Sequence, residues 1–267
     1  MASARISESV GRVFTENFTA RDVAEPLASF DVDTLSAAVR EFMQARDFEI
    51  IDVRKDGQIA GFIEARSLVD SPCGQQLRRF DDAIVLDEAA PLLQVILKLN
   101  KSSHVFIRIL GQVGGVITRA DLQKPPVRMW LFGIITLIEM RFAELIERHC
   151  PGDAWRQYLS ETRLQKAHAL LDERSRRNQK LQVFDCLQFS DKGQIIARNE
   201  DIRKRTIFAS RNRAEAMVKK LEKLRNNPAH AQDIVTSDWE TIVQLCEFFQ
   251  SSTNESPKSG RPEKQYP

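Results

Sequence analysis

An internal repeat in the first half limits the folds open to this chain. Residues 57–68 (GQIAGFIEARSL) align without a gap to residues 111–122 (GQVGGVITRADL), at an offset of 54 residues. Each copy predicts a helix, a strand, a turn, a second strand and the start of another helix. The paired upstream patterns are helical over 35–43 and 89–97, and strand-like over 49–53 and 103–107.

The second copy ends in residues 115–122 (GVITRADL), in which a glycine and two apolar residues precede Thr-x-x-Asp-Leu. This stretch resembles the signature of CBS domains, and the whole repeat resembles a tandem pair of them, a Bateman module. The pair covers about 19–124, with repeats at about 19–70 and 78–124. The resemblance implies an α/β fold and a regulatory adenine nucleotide, such as AMP or ATP.

The same resemblance implies that Asp121 and Thr118 hydrogen-bond the ribose and phosphate, with Ile117 beside them. A carboxylate can accept both ribose hydroxyls, and a threonine at a helix N-terminus lies beside free N–H groups that suit phosphate. The residues alone leave a second interpretation open. In it, Thr118 is simply the N-cap of a helix and Asp121 is the acidic partner three residues on, as in a capping box.

The first copy departs from this signature. Glu64 stands where the threonine is expected, and Ser67 stands where the aspartate is expected. A carboxylate at the helix start would repel phosphate, so the sequence predicts one nucleotide per chain rather than two.

The second half predicts an all-α bundle of four to six helices over 125–250. Pro125 and Pro126 separate it from the repeats, and a long helix is predicted over 127–150. Its apolar stripe indicates burial in a bundle core or at a chain–chain contact. The stripe comprises Trp130, Leu131, Ile134, Leu137 and Ile138.

Glu139 interrupts the apolar part of this long helix. Two interpretations are open: a partly buried carboxylate paired with an arginine, or one that faces water. Further along, Ser190–Gly193 predicts a turn, and the last helix is predicted to begin at Ser237 or Asp238.

Residues 225–230 (RNNPAH) follow a basic helical run and precede an amphipathic one. Arg-x4-His, with Asn226 after the arginine, resembles the motif of the HEPN family of RNA-cleaving domains. An arginine presents a planar fork that matches phosphate, and a histidine exchanges protons near neutral pH. The residues also allow a plainer interpretation, in which Arg225 and His230 are a charge at a helix C-terminus and a loop histidine.

The HEPN resemblance implies metal-independent RNA cleavage. Arg225 would hold the scissile phosphate, His230 would act as general base and general acid, and Asn226 would orient them. The products would carry a 2′,3′-cyclic phosphate and a 5′-hydroxyl. The combined expectation is a nucleotide-regulated endoribonuclease that acts as a homodimer.

A different class of function stays open. In it the chain is a non-catalytic, nucleotide-sensing scaffold whose helices mediate dimerisation or bind RNA or a partner. Lys, Arg, Asp and Glu give residues 1–124 a net charge of −3 and the remaining residues a net charge of +5. This asymmetry favours the second half as the part that meets a polyanion.

The remaining features bound the compartment and the ends of the chain. The four cysteines form no CxxC or Cys/His cluster, so neither a metal site nor a disulfide framework is predicted. No signal-peptide core and no run of 18 apolar residues occurs, which predicts a cytoplasmic protein without a membrane partner. Residues 1–18 are assigned as an extension and residues 251–267 as a disordered tail.

Overall fold

The computed structural model describes residues 11–206, 208–226 and 234–254. Seven strands lie in the first half: β1 (Glu25–Pro26), β2 (Ser29–Asp31), β3 (Ile50–Lys55), β4 (Gln58–Glu64), β5 (Val85–Asp87), β6 (His104–Ile109) and β7 (Gln112–Thr118). The helices are α1 (residues 11–16), α2 (Ser36–Arg46), α3 (Leu92–Leu99), α4 (Pro125–His149), α5 (Glu161–Arg176), α6 (Phe189–Arg198), α7 (Glu200–Arg203), α8 (Arg211–Asn226) and α9 (Ile234–Asn254).

The two repeats have the same strand plan. In the first, β2 runs parallel to β3 and β3 antiparallel to β4; in the second, β5, β6 and β7 repeat that arrangement. The register shifts between Val53 and Arg54 in β3, and between Ile107 and Arg108 in β6, which are matching positions. The predicted α/β repeat is therefore confirmed in detail.

The hairpin turns also match. Asp56 and Gly57 have φ values of 52° and 76°, and Leu110 and Gly111 have φ values of 50° and 87°. Two consecutive residues with positive φ give the turn whose twist fits an antiparallel hairpin. Glycine adopts this conformation without strain, which explains why both copies place one there.

Three groups of buried apolar residues hold the fold. The first repeat has a small core of its own, between α2 and one face of β3 and β4. A layer between the repeats contains Ile50, Phe62, Val85 and Phe106. The third group is continuous from the second repeat through α4 to α9, so that repeat and the helical half share one core.

The segment before β1 belongs to this shared core. Phe14 of α1 and Phe18 pack against it, and Gly133 of α4 leaves no room for a Cβ atom because the Phe14 ring lies on it. β1 then pairs with β7 of the second repeat. The described part of the predicted extension is thus an element of the core.

The long helix of the second half begins at Pro125 and Pro126 rather than after them. Lys124 is its N-cap, and proline is well suited to the first helical positions because its missing N–H has no acceptor there. All five residues of the predicted stripe are buried.

Two predicted boundaries in the helical half are wrong. Residues 190–193 lie in α6, not in a turn. The Asp191 carboxylate accepts from the Gln188 N–H at 3.0 Å and caps the helix. Gly193 lies inside α6, and a larger residue would not fit there because Val218 of α8 occupies the space of a Cβ atom. The last helix is already formed at Ile234 and extends to Asn254, four residues into the segment assigned to the tail.

Within the described ranges, no helix is long and apolar enough to cross a membrane. The same residues contain no group of three His, Cys, Asp or Glu side chains that could hold a metal ion. Cys73, Cys150, Cys186 and Cys246 are buried, free thiols.

Candidate functional site

The Thr118–Asp121 turn lies where β7 ends and a 3₁₀ turn (Ala120–Gln123) begins. Oδ2 of Asp121 accepts from the Thr118 N–H at 2.7 Å and from its hydroxyl at 3.0 Å. Oδ1 accepts from Nζ of Lys124 at 2.9 Å. Asp121 is 9% exposed and Ile117 is fully buried. Both carboxylate oxygens that were predicted to meet a ribose therefore already have partners.

A second turn with the same geometry occurs at Thr19–Asp22. There Oδ2 of Asp22 accepts from the Thr19 N–H at 2.7 Å and from its hydroxyl at 3.1 Å. This turn was not singled out from the sequence, although Thr-x-x-Asp is visible there. The Thr-x-x-Asp sequence thus makes the same hydrogen bonds in both places, although Thr19 is the N-cap of its 3₁₀ turn and Arg119 is the N-cap of the other.

The first repeat replaces the cap with ion pairs. Glu64, 6% exposed, accepts from Nε of Arg66 at 2.6 Å and from Nη1 of Arg78 at 2.7 Å. The hydrogen bond from Arg66 is the main cause that holds the pKa of Glu64 below its usual range. Ser67 donates its hydroxyl to the Glu64 carbonyl at 2.8 Å. The carboxylate of Glu64, which stands in place of the threonine, is thus paired with two arginines of the same chain.

Two buried titratable groups, Asp52 and His104, lie near the layer between the repeats, and the sequence analysis gave neither a functional role. Asp52 lies opposite Phe62 in the β3–β4 register and is 1% exposed. Burial raises its pKa to about 7, and within the described residues its Oδ1 has no hydrogen-bond partner. The matching position in the second repeat is Phe106. An aspartate within the apolar run of β3 was the available signal.

His104 is the other buried group, at 7% exposure. Its ring centre lies 5.8 Å from that of Phe62 and 4.9 Å from that of Phe106. Nδ1 lies 3.1 Å from the Ser103 hydroxyl, and Nε2 has no partner in the described part of the chain. Burial is the main cause that lowers the pKa of His104.

The arginine of the predicted catalytic motif lies where three helices meet. Nη1 of Arg225, at the end of α8, donates to Oε2 of Glu139 in α4 at 3.0 Å. Nζ of Lys192 in α6 donates to Oε1 of the same carboxylate at 2.9 Å. The guanidinium also lies 5.8 Å from the Phe189 ring centre. Of the two interpretations of Glu139, the structure shows the paired one.

The other motif residues are placed less fully. Asn226 is the last residue of α8 and is exposed. His230 lies outside the described residues, as do Asn227, Pro228 and Ala229, so its predicted approach to Arg225 stays a prediction.

Helix α9 connects the surroundings of both predicted sites. Arg119, between Thr118 and Asp121, places its guanidinium carbon 4.6 Å from the Trp239 ring centre. One residue earlier in α9, Asp238 accepts from Nζ of Lys223 in α8 at 3.2 Å. The predicted nucleotide turn therefore contacts the helix that follows His230, and that helix contacts the one that carries Arg225.

Known structures similar to the N-terminal part of the chain are CBS-pair proteins. CBSX2 from Arabidopsis thaliana is 14% identical, with 39% of this chain and 91% of that chain covered and a TM-score of 0.35. The CBS domain of a bacterial CNNM/CorC family Mg²⁺ transporter in complex with ATP is 12% identical, with 45% of this chain and 94% of that chain covered and a TM-score of 0.35. An uncharacterised conserved protein from Pyrococcus horikoshii is 20% identical, covers 40% and 90%, and has a TM-score of 0.36.

No protein-family model matches the sequence, and no curated protein matches it. Because the identities to solved structures are below 25% and the TM-scores below 0.5, the assignment of the fold rests on the strand order and register described above.

Proposed function

We propose that the protein is a metal-independent ribonuclease whose activity is set by an adenine nucleotide bound to the second repeat. The surroundings of Arg225 carry the proposal. Glu139 fixes the guanidinium, yet the Arg225 side chain is 31% exposed. Lys192 adds a second cation to the single carboxylate, which leaves surplus positive charge near the end of α8. A half-exposed, oriented guanidinium suits a phosphodiester.

The proposed chemistry uses residues of the chain alone. His230 takes the proton from the ribose 2′-hydroxyl, and the 2′-oxygen forms a bond to phosphorus. The bond from phosphorus to the 5′-oxygen breaks, and that oxygen receives a proton from the imidazolium of His230. Arg225 stabilises the charge on the phosphate oxygens. The products are a 2′,3′-cyclic phosphate and a 5′-hydroxyl.

The test is incubation of the full chain with a mixed RNA pool in EDTA. The wild type is expected to cut RNA and leave cyclic phosphate ends. His230→Ala and Arg225→Ala are expected to lower the rate by at least about a hundredfold, the scale of a lost acid–base group. Arg213→Ala is the matched control, because it removes the same charge from an exposed position of α8. Wild-type protein that cuts no RNA, with or without AMP or ATP, would contradict the proposal.

The proposed regulatory ligand binds at the Thr118–Asp121 turn, with Ile117 beneath it. AMP and ATP are the first probes, since CBSX2 was solved in complex with AMP and the transporter domain in complex with ATP. A ribose hydroxyl at Oδ2 of Asp121 would compete with the two hydrogen bonds from Thr118, whereas one at Oδ1 would share that oxygen with Lys124.

The proposed assembly is a homodimer in which α4 takes part. Met129 and Phe132 lie on one side of α4 and are 62% and 54% exposed, and large apolar side chains of this exposure suit a contact with a second copy. Light scattering is expected to give twice the chain mass for the wild type and one chain mass for Phe132→Asp. A wild-type monomer at micromolar concentration would refute the dimer.

A second candidate, a non-catalytic scaffold that senses nucleotide, is favoured by one observation. The ionic groups of Arg225 and Asp121 are both paired within the chain, as structural residues would be. Nucleotide binding without RNA cleavage would select this candidate.

A further inference from the structure

The contact between Arg119 and Trp239 joins the second repeat to the helical half. The guanidinium of Arg119 donates to the carbonyl of Leu99, the last residue of α3, with Nη2 at 3.2 Å. On the other side it lies over the Trp239 ring of α9. The Arg119 side chain thus contacts both its own repeat and α9.

The first repeat has no counterpart of this contact. Ala65 stands at the position that matches Arg119, and it lines an open groove of about 280 Å³ between the end of α2 and the start of β3. In the second repeat, α9 packs against α3 and the 3₁₀ turn that follows β7. Among the described residues, the Arg119–Trp239 contact thus links the second repeat to α9.

A ligand that binds Oδ2 of Asp121 competes with the hydrogen bonds that hold the turn in which Arg119 lies. Oδ2 of that carboxylate already accepts two hydrogen bonds from Thr118, so a ribose hydroxyl that binds to Oδ2 competes with the bonds that close the turn. Arg119 lies inside the turn and moves with it. The free and bound turns then differ in how they support Trp239, and such a difference between two states is what coupling requires.

An adjacent face of α9 contacts α8, the helix that carries Arg225. Asp238 is 6% exposed and pairs with Lys223, two residues before Arg225. The helix begins at Ile234, four residues after His230. A small displacement of α9 therefore acts on both sides of the predicted catalytic motif.

We propose that the Arg119–Trp239 contact is the coupling element through which nucleotide at Thr118–Asp121 controls the Arg225 site. This inference rests on the proposed function, of which it specifies the regulation. Arg119 and Trp239 are positioning residues in this proposal, and they act through the turn and through α9.

The test compares full-length wild type with Arg119→Met, Trp239→Leu and the control Arg21→Met, whose arginine lies in the Thr19–Asp22 turn and is exposed. AMP and ATP binding is measured by calorimetry, and RNA cleavage is measured with and without each nucleotide. Wild type and Arg21→Met are expected to change their cleavage rate by at least about fivefold on binding, the lower end of typical coupling. Arg119→Met and Trp239→Leu are expected to bind nucleotide and keep the basal rate, with a response below twofold.

Trp239→Phe guards against a folding defect in Trp239→Leu, since it keeps a ring with a weaker attraction for the cation. Its response is expected to lie between those of wild type and Trp239→Leu. A full response in both Trp239 variants would overturn the coupling and leave the proposed function intact.

Failure of the proposed function has a different signature. If wild type binds nucleotide and cuts no RNA, the ribonuclease fails, and the coupling is read from nucleotide-induced tryptophan fluorescence. A change that disappears in Arg119→Met would support the coupling, and a change that persists there would overturn it. If wild type binds neither AMP nor ATP, the nucleotide part of the function and the coupling are both overturned.

Discussion

The two repeats share a backbone plan and differ in what surrounds it. Strand order, register shift and hairpin turn are the same, and even an ion pair recurs: Arg54 with Asp31 at 3.4 Å, and Arg108 with Asp87 at 3.7 Å. The first repeat closes a small core of its own, whereas the second shares its core with the helices. The same fold thus has a separate core in the first repeat and is part of the core of the helical half in the second.

The turns that follow β4 and β7 also differ between the two repeats. The first repeat fills its turn with the ion pairs of Glu64, and the second has a neutral threonine there and an arginine that reaches α9. The strand pattern is thus common to both repeats, and the side chains at the end of the hairpin are what differ.

The largest expected effect concerns the cores. Ile63 and Ile117 occupy matching positions and are both fully buried, but the three tryptophans all lie in the helical half. Ile117→Ala is expected to lower the free energy of unfolding, followed by tryptophan fluorescence in urea, by about 3–5 kcal/mol, because it leaves a cavity in the shared core. Ile63→Ala is expected to change it by less than about 1 kcal/mol. Equal losses would mean that the repeats unfold as one unit.

The next effect concerns the buried Asp52. Its folded-state pKa of about 7 lies above the ordinary 3.8, so the folded state binds the proton more tightly than the unfolded state. The contribution of Asp52 to the free energy of unfolding is therefore fully present below about pH 4. It is lost as the pH rises to about 7, which lowers the free energy of unfolding by roughly 2–4 kcal/mol.

Urea unfolding at several pH values, followed by circular dichroism, measures this loss for the first repeat. Asp52→Asn is expected to abolish it, and Asp33→Asn, at an exposed position, is expected to retain it. A pH dependence that persists in Asp52→Asn would show that another group is responsible.

Much of the fold follows from local sequence, which explains what could be predicted. The repeat, its strands and the long helix have strong periodicity, and the pairing of Glu139 with an arginine was one of two open interpretations. The start of α4 at Pro125 and the helical Ser190–Gly193 were missed, because the first depends on helix-end hydrogen bonding and the second on packing against Val218.

The candidate sites could be predicted only in part. The motifs pointed to Thr118, Asp121 and Arg225. Asp121 is paired within its own turn, but the partners of Arg225 and Arg119 are distant in sequence. Lys192 reaches Glu139 across 53 positions, and Trp239 of α9 meets Arg119 of the second repeat. No local pattern encodes such contacts, since they arise when the helices pack around the second repeat.

The smallest expected effect concerns ligand affinity. Asp121→Asn is expected to weaken AMP binding by about tenfold or more, because a charged acceptor is lost. Ser67→Ala, at the matching position of the first repeat, is expected to leave the affinity unchanged. Calorimetry measures both, and weakening by Ser67→Ala alone would place the ligand in the first repeat.

Hydrogen exchange with and without AMP tests the central claim, that the second repeat senses nucleotide and passes the signal to the helices. The account predicts altered exchange at residues 118–124 and along α9, with α2 and β4 of the first repeat unchanged. Changes confined to the first repeat, or to residues 118–124 without α9, would contradict it.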